Sequence, residues 1–124
     1  MDLDAAKQTY IDMFGEMPPL PDAKFVFMAD TDLDALERIE TLRAGAFLSP
    51  TFDPKVTQLM IFAVLIAEGA GPAEWHAIAA RRAGATWAEL AHVVELVAAV
   101  KALGPANQGG AMLHKLRSSD TTVS

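Results

Sequence analysis

The sequence predicts an all-α domain of about six helices, and three observations carry that prediction. Helix-start signals recur along the chain: Asp2 or Asp4 near the N-terminus, Asp53-Pro54, and Thr86 with Glu89 three residues on. An Asp or Thr at the N-cap accepts a backbone N–H that the first turn leaves free, and proline at N1 forfeits no bond. Apolar residues recur at three- and four-residue intervals, the period of a helix face. No stretch makes a convincing strand, and there is no internal repeat or low-complexity tract.

In chain order, a first helix runs from the Asp2/Asp4 cap to about Phe14, with Ala6, Tyr10, Met13 and Phe14 on one face. Gly15 to Pro21 reads as a linker, because its three prolines fix φ and oppose helix. Phe25 to Met28 fits a short strand or a short buried helix; helix is preferred, since nothing else offers a sheet to join. Asp30, Thr31 and Asp32 compete to cap a helix from Leu33 to Ala44, with Leu36, Ile39 and Leu42-Arg43 as its apolar stripe and Gly45 as its end. Residues 46–52 are loop. Pro54 to Glu68 follows the Asp53 cap and is apolar all round after Gln58, which predicts burial on most sides.

The next helix opens at Pro72 and closes before Gly84, a residue suited to the left-handed position past a helix end. Thr86-Trp87-Ala88-Glu89 is a capping box, in which each end satisfies the other's backbone N–H. Its helix reaches Leu103, with Gly104-Pro105 as the stop. A last helical segment ends near Leu116, and residues 118–124 form a flexible polar tail after a single domain over 1–117.

Bulk properties exclude several classes of function. Hydrophobic residues make up 52% of the 124, enough for one real core. The formal net charge of −6 opposes nucleic-acid binding and docking on an anionic membrane. The absence of cysteine removes disulfides, thiolate metal sites and thiol peroxidase chemistry. The longest apolar run, Leu59 to Ala67, is nine residues, against about twenty for a spanning helix. With an acidic N-terminus that lacks a signal-peptide pattern, these features predict a soluble cytoplasmic protein.

Several pieces in order resemble the carboxymuconolactone decarboxylase family, which includes the alkyl hydroperoxidase D-like proteins. They are Asp53-Pro54-Lys55, then Gln58-Leu59-Met60 in an apolar helix, then His76, Gly84-Ala85-Thr86 and Glu89-Leu90. The resemblance covers roughly residues 50 to 110. It implies a small helical fold, assembly as trimers or hexamers, and active sites near subunit contacts. There are departures. The peroxidase branch has cysteines seven and four residues before the histidine, where this chain has Gly69 and Pro72. The family acid ahead of the leucine is Gln58 here, and a second acid is replaced by His92. The loop between is one residue shorter, and the tyrosine-and-glycine pattern is not clear in Val100 to Pro105. His76, Gly84 and Glu89 carry over.

His76 is the leading candidate for chemistry. A lone histidine on an apolar helix is more often a satisfied core residue; the resemblance brings the catalytic reading level with that. Imidazole titrates near neutrality and both gives and takes a proton, which the products of a decarboxylation require. Glu68, at the end of the buried helix, and His92, which can pair with Glu95, are the further catalytic candidates. A solvated surface acid is the ordinary alternative for Glu68. Gln58 and Arg82 are candidates for binding substrate, the arginine through a carboxylate, with a solvated face or subunit salt bridge as its alternative. Glu74 points about 200° from His76 on the same helix and reads as a first-turn acid. Trp75 and Trp87 read as packing or interface anchors. No metal site is expected, because His76, His92 and Glu95 match no familiar spacing.

Together with the resemblance, these residues imply a cofactor-independent lyase on a small carboxylated substrate, lactone-like or an aromatic catabolite. An isomerase or hydrolase on the same scaffold, and a non-catalytic binding or assembly protein, are the alternatives. A homo-oligomer is expected, with no nucleic-acid or membrane partner. Helices apolar on most sides carry more hydrophobic surface than one small core can hide.

Overall fold

The structure, a computed structural model, describes residues 1–120. They form six helices and no strand: α1 (Leu3–Phe14), α2 (Pro19–Thr31), α3 (Leu33–Phe47), α4 (Pro54–Glu68), α5 (Ala73–Arg82) and α6 (Trp87–Ser119). The caps form as their residue types dictate. The side chains of Asp2, Asp32 and Asp53 accept the N–H of Ala5, Ala35 and Val56. Thr86 and Glu89 close the reciprocal capping box, at 2.9 and 3.0 Å. Gly69 and Gly84, at φ 68° and 101°, turn the chain after α4 and α5 in the left-handed region that glycine tolerates.

Four boundaries differ from the expectation. The proline linker is shorter, because α2 begins at Pro19. Its first intrahelical bond is donated by Asp22 to Pro18, so the missing N–H groups of Pro19 and Pro21 remove no bond. Residues 25–28 lie inside this helix. Gly45 does not stop α3, which continues to Phe47; glycine costs about 1 kcal/mol in a helix interior and does not forbid one. Pro72 stands just before α5 rather than in its first turn. Gly104-Pro105 does not end α6, whose 33 residues run on through Gly109 and Gly110. Good helix formers lie on either side, Ala98, Ala99, Lys101, Ala102 and Leu103 before Gly104-Pro105 and Ala111, Met112, Leu113 and Lys115 beyond the glycines. Of the expected tail, Ser118 and Ser119 belong to α6, and residues 121–124 lie outside the described residues.

α5 is central to the packing. It lies against α4 and α1, while α2 packs on α3 and α6 on α4. Two apolar clusters result. One gathers Tyr10, Phe14, Phe25, Leu36 and Ala79; the other gathers Ala80, Ala85 and Leu90 with Leu59 and Phe62 against them. Ala79 and Ala80 are neighbours, so one short helix joins both clusters.

The stripe expected on α3 is rotated. Leu36 and Glu40 are buried, and Arg43 and Phe47 are half-buried on the same face, whereas Ile39 and Leu42 are 43% and 75% exposed. The face turned inward is therefore partly ionic. Glu40 accepts Tyr10 Oη–H at 2.6 Å, Lys24 Nζ at 2.5 Å and Arg43 Nε at 2.9 Å. This carboxylate ties α1, α2 and α3 together. Burial alone would raise its pKa; the bonds from Lys24, Tyr10 and Arg43 outweigh that and hold it below the usual carboxylate range.

Apolar surface remains open. α4 is not buried on most sides: Met60 and Val64 are exposed. On α6, Val100, Leu103, Met112, Leu113 and Leu116 are exposed as well. No helix among the described residues is long and apolar enough to cross a membrane.

Glu40→Ala leaves Lys24 and Arg43 without their shared counter-charge. A loss of about 3–5 kcal/mol in unfolding free energy is expected, the usual cost of breaking a buried ion pair from one side. Removing the exposed cap by Thr86→Ala should cost about 1 kcal/mol. Equal losses in urea titrations of the two variants would contradict the clamp.

Candidate functional site

The inward face of α5 carries His76, Ala79 and Ala80, all buried. Two alanines at this contact let α4 come close, and Gln58 of α4 is buried opposite. His76 Nδ1 lies 2.7 Å from Gln58 Oε1. An amide oxygen only accepts, so Nδ1 carries the proton and Nε2 keeps the free electron pair. Nε2 makes no hydrogen bond to any described residue. The edges of Phe14 and Phe47 pack on the ring, with centroids at 5.1 and 5.6 Å and planes nearly perpendicular.

Burial, and then the positive charge of Arg43, pull the His76 pKa down to about 4. The ring is therefore neutral at pH 7. It is a proton acceptor in its resting state, and once protonated it is more acidic than an ordinary imidazolium. Gln58, unlike a carboxylate, offers no charge to stabilise the imidazolium, so nothing opposes this depression.

The pair stands between two cavities. Gln58 lines one of about 400 Å³, together with Thr9, Met13, Ser49, Thr57 and Arg82. His76 lines another of about 470 Å³, walled by Phe14, Trp75, Arg43, Tyr10 and the proline segment at the start of α2. Phe47 borders both.

The structure gathers some of the sequence candidates and separates others. Gln58 and Arg82 share the first cavity, and Arg82 reaches back to the Asp12 carbonyl at 3.4 Å. Glu68 is exposed at the end of α4 and lines neither cavity. His92 is 63% exposed on the outside of α6, paired with Glu95 at 3.4 Å, and is likewise away from His76 in the chain. α6 offers α4 its other face, which is why both leave the site. Glu74 is exposed. Arg81 binds the Ala85 carbonyl and stacks on Trp87, while Trp75 packs edge-on against Phe14. Among the described residues no three His, Asp or Glu side chains cluster as metal ligands would.

Sequence reasoning missed Arg43, Glu40, Tyr10, Lys24 and Phe47. One signal was available: Leu36, Glu40, Arg43 and Phe47 share the helical spacing of one face, so two charges sat at core-facing positions. Their partners on α1 and α2 had no such mark.

The model of the carboxymuconolactone decarboxylase family matches residues 34–113, from the start of α3 into the distal part of α6. The matched region holds Arg43, Gln58 and His76. No curated protein and no solved structure matches the chain. Gly69 and Pro72, which stand where the peroxidase branch has cysteines, form the turn between α4 and α5 here. With well over half of its length fitting that model, this cysteine-free helical chain belongs to the carboxymuconolactone decarboxylase family.

Proposed function

We propose that the chain is a cofactor-independent enzyme of the lyase type that the family's name describes. It acts in the cytoplasm on a small carboxylated molecule, lactone-like or an aromatic catabolite. The observation that carries this reading is a neutral, buried imidazole with one nitrogen held by Gln58 and the other uncommitted, beside a cavity of ligand size.

The chemistry follows from the protonation state. Breaking the bond to a departing CO2 leaves its electron pair on an enolate or dienolate, and a proton must reach the carbon that takes up the charge. In a decarboxylation neutral His76 takes up at Nε2 one proton from solvent for each CO2 released; in an isomerisation it takes that proton from an acidic carbon of the substrate. The imidazolium, more acidic than an ordinary one in this environment, delivers it to the new carbanionic carbon. Gln58 is a positioning residue in this scheme, because it sets which nitrogen is basic. The same shuttle without loss of CO2 is an isomerisation, and the neutral Gln58 in place of an acid favours that second reading.

We also propose a homo-oligomer, a trimer or hexamer. Exposed Met60 and Val64 on α4 and the apolar positions of distal α6 are the surface it would cover. A helix of about 50 Å with a proline inside it gains little from its own chain beyond Leu103, where nearly every residue is exposed.

His76→Gln retains size and a hydrogen-bonding group, so it should fold. CO2 release from a panel of carboxylated lactones should fall by roughly 10²–10⁴, the usual share of general acid–base catalysis. An unchanged rate would remove the catalytic role.

The same variant tests the electrostatics. The folded pKa of about 4 lies below the ordinary 6.5, so the unfolded chain binds the proton first as pH falls. The stability tied to neutral His76 is present above about pH 6.5 and is lost between there and about pH 4. That is at most about 3 kcal/mol. Melting curves across this window should slope for the parent and flatten for His76→Gln; parallel curves would contradict the depressed pKa.

Sedimentation at micromolar concentration should find a trimer or a multiple of it. A monomer at that concentration would overturn the assembly.

A further inference from the structure

We infer that the His76 cavity binds a monocarboxylate with an apolar, ring-sized body, and that Arg43 anchors its carboxylate. The inference takes this cavity as the substrate site and so rests on the reading above; it adds which residue selects the substrate, and for what.

Three independent observations converge on Arg43. The first is an unused donor. Arg43 Nε is taken by Glu40 and Nη2 by Thr9, while Nη1 is buried with no acceptor among the described residues. A buried donor without a partner costs about 1–3 kcal/mol, more when charged. Arg43 itself lines the cavity, so a small turn of the guanidinium would offer this idle donor to an acceptor seated there.

The second is charge. Lys24 and Arg43 share the single carboxylate of Glu40. Tyr10 adds nothing negative, because burial and its hydrogen bond to Glu40 push its hydroxyl above the ordinary value. His76 is neutral. The cluster thus carries one positive charge in excess, largely shielded from solvent, with the Arg43 side chain only 12% exposed. One anion neutralises it.

The third is the cavity. Its volume of about 470 Å³ is in the range of small-molecule sites, and among the described residues that line it Arg43 is the one charged side chain, beside Tyr10, neutral His76 and the indole of Trp75. The rest is Phe14, Phe47 and the Pro18–Pro21 segment. One guanidinium edge in an apolar wall suits a carboxylate on a hydrophobic body. A phosphate, which needs several donors, is poorly served. A second carboxylate on the same ligand would find no second cation among the described lining residues, at the cost of a buried charge without a counter-charge. An anchored carboxylate also places the ligand body in the cavity that His76 lines.

The test uses benzoate as the probe and benzamide as its neutral isostere. Trp75 lines the cavity, while Trp87 is 70% exposed and lies outside it, so Trp87→Phe makes Trp75 fluorescence the single reporter. Benzoate should quench or shift Trp75 with an affinity roughly 10–100-fold above that of benzamide, the margin of a charge-assisted hydrogen bond. Phthalate, with a second carboxylate, should bind more weakly than benzoate. Arg43→Gln should abolish the preference for acid over amide, and Arg43→Lys should retain part of it. Equal binding of acid and amide, no benzoate binding at millimolar concentration, or a preference that survives Arg43→Gln would each overturn the inference. If Arg43→Gln fails to fold, the acid–amide comparison with Arg43 intact decides alone. His76→Gln separates this inference from the catalytic reading. If it loses turnover while acid and amide bind alike, the anchor is wrong and the catalytic reading stands. If it keeps turnover while benzoate is still preferred, the catalytic reading is wrong and the anchor stands.

Discussion

Glu40 lies inside the domain with a lysine from α2, an arginine from its own helix and a tyrosine from α1 all bonded to it. A carboxylate removed from water is tolerable only when it is surrounded in this way, and the need for those partners sets where the helices lie. α1 and α2 must bring Tyr10 and Lys24 to it, which fixes their height along α3. Arg43, bonded to Glu40 through one edge and stacked over the Tyr10 ring at 3.6 Å, is held against the cavity wall. From there it acts on His76 at a distance, adding its charge to the burial that already keeps the ring neutral. The clamp that orders the N-terminal helices and the field at the candidate site share this one arginine.

α5 solves a different problem. A histidine and a glutamine, both buried, must meet across two helices without leaving either amide or imidazole group stranded. Alanine at positions 79 and 80 gives the close approach, and the 2.7 Å bond uses the polar groups that the approach would otherwise desolvate. An amide at position 58 holds the histidine without bringing a charge. A carboxylate there would stabilise the imidazolium; an amide leaves it unfavourable.

The apolar surplus on α4 and α6 belongs to the same economy of a small domain. A chain of this length cannot enclose all the surface of helices this hydrophobic. Distal α6 shows the consequence most clearly, since it projects beyond the packed body with three leucines and Met112 on its surface and a proline within it.

Much of this was readable along the chain. The all-α class, the caps at Asp53 and Thr86 and the left-handed turn at Gly84 are local matters, decided within four or five residues by backbone bonding and glycine or proline geometry. So was the family. Where the sequence reading failed, it did so at interactions between segments. The proline-rich start of α2 is helical because those residues occupy the turn whose N–H groups are free in any case. α3 turned a charged face inward because its partners, the Lys24 ammonium of α2 and the Thr9 and Tyr10 hydroxyls of α1, arrive from 16 to 34 residues away. Glu68 and His92 left the site because rotation about the axes of α4 and α6 is set by packing, not by spacing. The residue types and the helices were determined by the sequence itself; which side chains meet at His76 was decided only in the tertiary structure, because desolvation and charge pairing depend on neighbours that the local chain does not contain.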